Sequence, residues 1–368
     1  MKKLKRKVFV AMSGGVDSAV SAALLQEEGY DVTGVFMKVW QPDFLPCSWE
    51  AEKRDAMRVA AHLGIPLLVW DFEKEYKKFV ADYMIREYKE GRTPNPDVMC
   101  NKEVKFGAFF RRAISLGADF VATGHYARIV NSQELIVNSK NTEFKMLKGI
   151  DLDKDQSYFL WTLGQRELSK TFFPIGEYKK TQVRALAKKF GLPVAEKKDS
   201  QGLCFVGKLD MKDFLAHFME KKEGVVLNEL GEDIGTHHGA YFYTLGERHG
   251  FAITKKGVDD TPYYVIAKDL ARNTISVAHR TKDTLACARS DARISQVNFC
   301  SGIVPDTARS YTAQVRYHGE FYKCHIKIID GETYALFFEK PVIVDAGQSV
   351  VLYNKDVCVG GGIVESGM

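Results

Sequence analysis

Short β-branched runs and longer helical stretches take turns along the first 125 residues, and that alternation leaves few folds open. Residues 8–12 form an apolar run suited to a buried strand. Residues 19–28 follow with helical spacing up to Gly29, where a left-handed cap is common. The pattern then repeats, with strands over 31–37, 66–71 and 118–123 and helices over 50–63, 73–90 and 102–116. Gly64 with Pro66, Gly91 and Gly117 mark the stops. Strands separated by helices of this length run parallel, joined by right-handed crossovers. The expected fold class is α/β, a doubly wound parallel sheet. Past Arg128 the pattern changes. Residues 129–149 read as a hairpin or two, 179–190 as an amphipathic helix closed by Gly191 and Pro193, and the chain from about Gly224 as short strands with Gly-rich and Asn/Asp-rich turns. Such spacing predicts two small β-rich, barrel-like domains. Boundaries near 208 and 282 divide the chain into 1–207, 208–281 and 282–368.

Size and composition agree with several domains. A chain of 368 residues exceeds what one ordinary core supports. With 45% hydrophobic and 27% charged residues it reads as globular, and a net charge of +5 permits a polyanionic partner without demanding one. No apolar run is long enough to span a bilayer. The basic N-terminus leads only into a short strand, without a small-residue cleavage site, so a cytoplasmic protein with no membrane partner is expected. Seven cysteines with no close C-x-x-C pair make neither a disulfide framework nor a zinc knuckle. Most should be small core residues.

Between the first strand and first helix lies Ala11-Met12-Ser13-Gly14-Gly15-Val16-Asp17-Ser18. Two glycines let the backbone bend and point successive N–H groups inward, and the following helix aims its positive end at the same spot. Ser13 and Ser18 add hydroxyls. Asp17 is out of place in an anion pocket unless Mg²⁺ stands between it and the phosphates. The string lacks the Lys-Ser/Thr ending of a Walker A loop and the G-x-G-x-x-G of a dinucleotide fold. It resembles the signature of the PP-loop ATP pyrophosphatases, which bind ATP and release pyrophosphate to leave an adenylated intermediate.

Two further stretches carry cysteines. Residues 91–101, Gly-Arg-Thr-Pro-Asn-Pro-Asp-Val-Met-Cys-Asn, form a proline-stiffened loop ending in Asp-x-x-Cys where a helix begins. A thiol at Cys100 would there feel the helix dipole, which enriches the thiolate. Residues 199–207, Asp-Ser-Gln-Gly-Leu-Cys-Phe-Val-Gly, make a second Gly-flanked loop around Cys204, which by itself does not separate a working thiol from a packed one. Together with Gly124-His125-Tyr126 and residues 154–160, Lys-Asp-Gln-Ser-Tyr-Phe-Leu, these motifs occur in the order of the bacterial tRNA-specific 2-thiouridylase family (MnmA/TrmU). Nearly the whole chain resembles that family.

The resemblance implies ATP-dependent 2-thiolation of the wobble uridine of tRNA, by adenylation of the uridine O2 and sulfur transfer from a cysteine persulfide. It implies that Cys204 carries the persulfide, that Cys100 completes transfer, that Asp97 is the acid/base, and that a Cys100–Cys204 disulfide results. The two distant thiols must meet, so the Cys204 loop is expected to move. Met37 and Gly124 are implied to join residues 11–18 around ATP, with Mg²⁺ on Asp17. Asn95, Pro96, Asp97 and His125 are implied to face the target base. Lys154, Asp155, Gln156, Arg316, Tyr317 and Gln348 are implied to touch tRNA, with Arg316 and Tyr317 on a strand of the last barrel. The basic pairs Lys179-Lys180 and Lys197-Lys198 read as solvated faces. Implied partners are tRNA and a persulfide donor, either a cysteine desulfurase or a sulfur-relay protein, with the chain acting as a monomer. Three other readings stay open: another PP-loop adenylating enzyme, an RNA-binding protein that keeps only the fold, and an iron–sulfur cluster on Asp97, Cys100 and Cys204. The sequence assigns no role to Cys47.

Overall fold

A computed structural model describes residues 5–45, 49–131, 143–198, 211–255, 261–279 and 288–365. The Cys204 loop and Cys47 lie outside those residues. Five strands, β1 (Lys7–Ala11), β2 (Asp31–Lys38), β3 (Leu67–Asp71), β4 (Phe120–Ala122) and β7 (Thr171–Phe172), make an all-parallel sheet in the order β3-β2-β1-β4-β7. Side chains alternate across a strand, so β1 sends Val8 and Val10 to one face and Phe9 and Ala11 to the other. Both faces are covered. Helices α1 (Val16–Glu27), α2 (Trp49–Leu63) and α6 (Lys180–Lys189) pack on the first through Val20, Leu24, Val59 and Val183. The helical runs α3 (73–89) and α4 (96–115) pack on the second through Val80, Met84, Val104 and Phe109. Burial on both sides is why these strands read as continuous apolar runs. Gly29, at φ 91°, ends α1 in the left-handed conformation the sequence called for.

Two helices differ from the sequence reading. The 73–90 helix carries a π turn at Lys77–Ala81. The helix expected from Lys102 begins at Pro96, because Asn95 caps it by accepting from the Val98 N–H at 3.2 Å and proline suits the first helical position. It continues as a π segment over Cys100–Phe109 before ending at Ser115.

The hairpin β5 (Ala127–Asn131) and β6 (Phe144–Lys148) leaves the parallel sheet and joins the C-terminal unit through β6–β18 pairing. After a short helix α5 (Gln165–Leu168), helix α6 and a further short helix α7 (Met211–Leu215) comes a five-stranded sheet. Its members are β8 (Gly224–Leu227), β9 (Asp233–His237), β10 (Ala252–Ile253), β11 (Tyr263–Asp269) and β12 (Thr274–His279), ordered β10-β9-β8-β12-β11. The last unit is a closed six-stranded antiparallel barrel of β13 (Arg289–Phe299), β14 (Tyr311–Gln314), β15 (Phe321–Ile328), β16 (Tyr334–Val342), β17 (Ser349–Asn354) and β18 (Val357–Val364). Pairing of β13 with β18 closes it. A separate core of Met146, Tyr158, Trp161, Val351 and Tyr353 fuses the barrel to the hairpin and to the α/β unit.

Candidate active site

The C-terminal ends of β1, β2 and β4 open into a cavity of about 510 Å³, the usual place for a ligand in an open parallel sheet. The β1–α1 loop forms its floor. Gly14 sits at φ 73°, and a Cβ there would lie 2.3 Å from the Glu52 carbonyl oxygen, so only glycine lets the loop close against α2. The Ser18 hydroxyl accepts from the Ser13 N–H at 3.2 Å and donates to the Gly15 carbonyl at 3.1 Å, which holds the loop open toward the cavity. Gly124, at the end of β4, presses directly on this turn: a Cβ would stand 2.8 Å from Ser18 N and 2.9 Å from Asp17 C. Ala11, Met12, Ser13, Gly15, Val16, Asp17 and Ser18 line the cavity, as do Met37 and Gly124. Gly14 instead faces α2.

Two lysines read as solvated turn out otherwise. Lys180 places its Nζ 2.8 and 2.9 Å from the two carboxylate oxygens of Asp17, which also accepts from the Tyr126 hydroxyl at 2.9 Å. Lys197 donates to the Gly14 carbonyl at 3.1 Å and pairs with Asp55 at 2.7 Å, tying the loop to α2. Lys179 and Lys198 are exposed as expected. A signal for Lys180 was present: it occupies the first position of α6, where the helix dipole disfavours a cation. An ammonium placed against the dipole needs another anion, and Asp17 supplies one.

The opposite wall comes from α4 and the β4–β5 turn. Cys100 is buried and lines the cavity. It lies beyond the first helical turn, not at the helix start, so the dipole reaches it weakly. Asp97, in the first turn, is half-buried; desolvation pushes its carboxyl up, opposed by the charge of Lys105. His125 is buried between the Phe106 and Phe173 rings. Its Nδ1 lies 2.7 Å from Thr123 Oγ1 and its Nε2 3.3 Å from Lys105 Nζ. Desolvation first, then Lys105, holds its pKa well below the usual histidine range. Lys105 was not foreseen.

The remaining predicted residues divide. Lys154, Gln156 and Tyr317 line the cavity, and Gln156 Oε1 accepts from the Tyr126 N–H at 3.0 Å. Asp155 turns inward, accepting from the Gly149 and Ser157 N–H groups and from the Ser157 hydroxyl. Arg316 and Tyr317 are in the turn after β14 rather than on a strand: Gly319 N–H donates to the Arg316 carbonyl, and His318 sits at φ 57°. That turn swings Tyr317 onto Phe159, centroid to centroid 4.4 Å, while Arg316 is exposed. Asn95 and Pro96 sit at the start of α4, where Asn95 is the cap.

Gln348 belongs to a junction of all three units. The loop before Asn95 is held by Thr93, whose N–H donates to the Ala346 carbonyl at 2.7 Å and whose hydroxyl donates to Asp345 at 2.9 Å. The same Asp345 oxygen accepts from the Leu245 N–H and from Lys268 Nζ at 2.8 Å, and Lys268 also donates to the Gly91 and Tyr243 carbonyls. Gln348 accepts from the Asp345 N–H and so props this carboxylate from behind. These partners come from stretches far apart in sequence, 91–93, 243–268 and 345–348.

Among the described residues, no group of three or more His, Cys, Asp or Glu side chains is arranged to hold a metal ion, and no helix is long and apolar enough to cross a membrane. Three family models match the chain: a tRNA methyl transferase HUP domain over residues 6–208, a tRNA methyl transferase PRC-barrel domain over 212–279, and an aminomethyltransferase β-barrel domain over 289–364. The tRNA-specific 2-thiouridylase MnmA of Geobacillus thermodenitrificans is 44% identical over 98% of this chain and 94% of its own length. Those of Streptococcus thermophilus and Pseudomonas entomophila are 42% and 43% identical, each over 98% of this chain and 95% of the relative.

Proposed function

The chain belongs to the tRNA-specific 2-thiouridylase family, and from that premise we propose that its cavity is where a tRNA uridine, the wobble uridine, becomes 2-thiouridine at the expense of ATP. The observation that carries the reading is that an anion-binding loop and a cysteine thiol from a different part of the sheet line one cavity. An anion loop by itself would suit many adenylating enzymes; a thiol opposite it suits sulfur chemistry.

The uridine O2 attacks the α-phosphorus of ATP, pyrophosphate departs, and the N3 proton leaves. Asp97, whose raised carboxyl pKa lets it hold a proton nearer neutrality than an exposed aspartate, takes that proton. The terminal sulfur of a persulfide on Cys204 then attacks C2, and the C2–O bond breaks with its electron pair leaving on AMP. The Cys100 thiolate attacks the Cys204 sulfur, the Cys100–Cys204 disulfide forms, and the electron pair stays on the sulfur at C2 while N3 regains its proton. A two-electron thiol reductant restores both cysteines. Cys204 lies seven residues beyond Lys197, which is bonded to Gly14. Seven residues of chain reach at most about 25 Å, which supports delivery of that sulfur to the cavity.

Asp17 is the residue that would hold Mg²⁺ travelling with ATP, since one carboxylate beside a phosphate site is the ion's usual protein share. Bound there, Mg²⁺ would neutralise phosphate charge. The fit requires Asp17 to give up Lys180, whose ammonium would turn to a phosphate. Asn95, Pro96 and His125 form the target-base side, and Lys154 to Gln156, Arg316, Tyr317 and Gln348 the tRNA side. An exposed arginine beside an aromatic ring suits a phosphate next to an unstacked base. The sulfur donor is a cysteine desulfurase or relay protein.

Incubating the protein with ATP, Mg²⁺, a persulfide-generating donor and tRNA, then resolving nucleosides by mass, should give 2-thiouridine and tRNA-dependent pyrophosphate. Pyrophosphate release that ignores tRNA, with no thionucleoside, would point instead to an enzyme adenylating a small acid. Gly124→Ala should weaken ATP binding about tenfold, because the added methyl overpacks the loop by about 1–3 kcal/mol. Calorimetric titration with ATP checks this, and an unchanged affinity would show that the loop can yield.

A further inference from the structure

We propose that Lys105 is a further working residue of this site: its ammonium holds His125 as a neutral imidazole protonated on Nδ1 and presents positive charge to the thiol of Cys100. The inference deepens the thiolation reading and rests on it for the purpose of the charge, though not for its existence.

The helix geometry comes first. In an α-helix, residues five apart differ by about 140° around the axis and cannot work on one spot. Cys100–Phe109 is π-helical, with hydrogen bonds from i to i+5 and about 4.4 residues per turn, so Cys100 and Lys105 come to the same side of the helix, about 50° apart. Both line the cavity. Gly107 admits this winding, since a Cβ there would sit 2.8 Å from the carbonyl oxygen of Lys102, five residues earlier. An α-helical register would turn Lys105 away from the thiol. The π segment therefore brings a thiol and an ammonium to one wall.

Charge selection comes next. Cys100 is too far into the helix for the dipole to favour its thiolate, so a side chain must do so. Among the described residues three lysines line the cavity: Lys105, Lys154 and Lys180. Lys180 is committed to Asp17, and Lys154 comes from the 151–156 turn. Lys105 alone of the three shares the helix face of Cys100. Its charge also acts on Asp97, about two turns earlier.

The histidine follows from hydrogen-bond chemistry. An ammonium donates and cannot accept. At 3.3 Å from Lys105 Nζ, His125 Nε2 must be the acceptor, so the ring proton resides on Nδ1 and is donated to Thr123 Oγ1 at 2.7 Å. A second positive charge on the ring would face the ammonium in a site walled by Phe106 and Phe173. His125 thus stays neutral, and Lys105 is the cation that this wall offers to an anion, whether thiolate or phosphate.

The test uses the full chain without ATP or tRNA, so its failure is separate from failure of the thiolation reading. Alkylation of Cys100 by iodoacetamide at pH 7, followed by mass on its peptide, should slow about tenfold in Lys105→Met and stay within about twofold in Lys105→Arg. An unchanged rate in a folded Lys105→Met protein overturns the proposal. Should that variant not fold, ¹⁵N NMR of histidine-labelled wild type, with His125 assigned by its loss in His125→Asn, decides. A neutral ring with the proton on Nδ1 supports the proposal, and an Nε2–H or doubly protonated ring overturns it.

Discussion

Replacing Cys100 with serine is expected to stop release of 2-thiouridine, lowering multiple-turnover thiolation on the order of 10³-fold or more, while tRNA-dependent pyrophosphate is still released in a single burst of about one equivalent per enzyme. Serine keeps the size of the side chain in a buried position, so the cavity wall survives. What it lacks is a thiolate able to cleave a sulfur–sulfur bond. If Cys100 is the cleaving thiol, chemistry should halt one step earlier, with tRNA joined to Cys204 through the transferred sulfur. Gel electrophoresis without reductant should then reveal an enzyme–tRNA adduct, and dithiothreitol should dissolve it with liberation of 2-thiouridine. Wild-type turnover in the serine variant would remove Cys100 from the reaction. Loss of activity with no adduct would move it to an earlier step.

Asp345→Ala is expected to destabilise the protein by about 3–5 kcal/mol, the usual cost of leaving one member of a buried ion pair alone. The side chains of Lys268 and Asp345 are only 10% and 5% exposed. Removing the carboxylate strands the Lys268 ammonium and also deprives the Leu245 N–H and the Thr93 hydroxyl of their acceptor. Replacing both partners, as in Asp345→Leu with Lys268→Met, should cost much less, because no unpaired charge remains. Denaturant midpoints of the two variants give the comparison. The functional consequence should exceed the thermodynamic one. Thr93 precedes the Asn95–Cys100 segment, and a shift of about 1 Å in that segment can cost about 10²-fold in rate. Wild-type thiolation by a destabilised Asp345→Ala protein would show that the junction holds the domains without holding the loop.

The elements legible in the sequence were those set by short-range rules. β1 to β4 and helices α1 and α2 follow from apolar periodicity and from glycines at their ends, and all lie within a few residues of their expected positions. The misread places have local explanations as well. The sequence reading puts Asn95 and Pro96 in a proline-stiffened loop, yet an asparagine cap followed by proline at the first helical position is a start signal. Tyr311 to Tyr317 continues an alternation suited to a strand, but the chain turns at Arg316 so that Gly319 can bond back to it. Lys179-Lys180 looks like any charged pair. Lys180 stands at the first helical position, but its partner, 163 positions away, is supplied only by the packed chain.

The sequence alone determined the order of strands and helices, the phosphate loop, and the motifs by which the family is known, because bond rotation, side-chain periodicity and glycine conformation act over a few residues. The tertiary structure decided which charged and polar groups face each other. Lys180 on Asp17, Lys105 on His125, and Lys268 on Asp345 depend on how separate sheets and helices pack. Burial makes such pairings obligatory, since a charge or polar group removed from water must find a partner. Which partner it finds is a property of the packed chain and is not written beside it in the sequence.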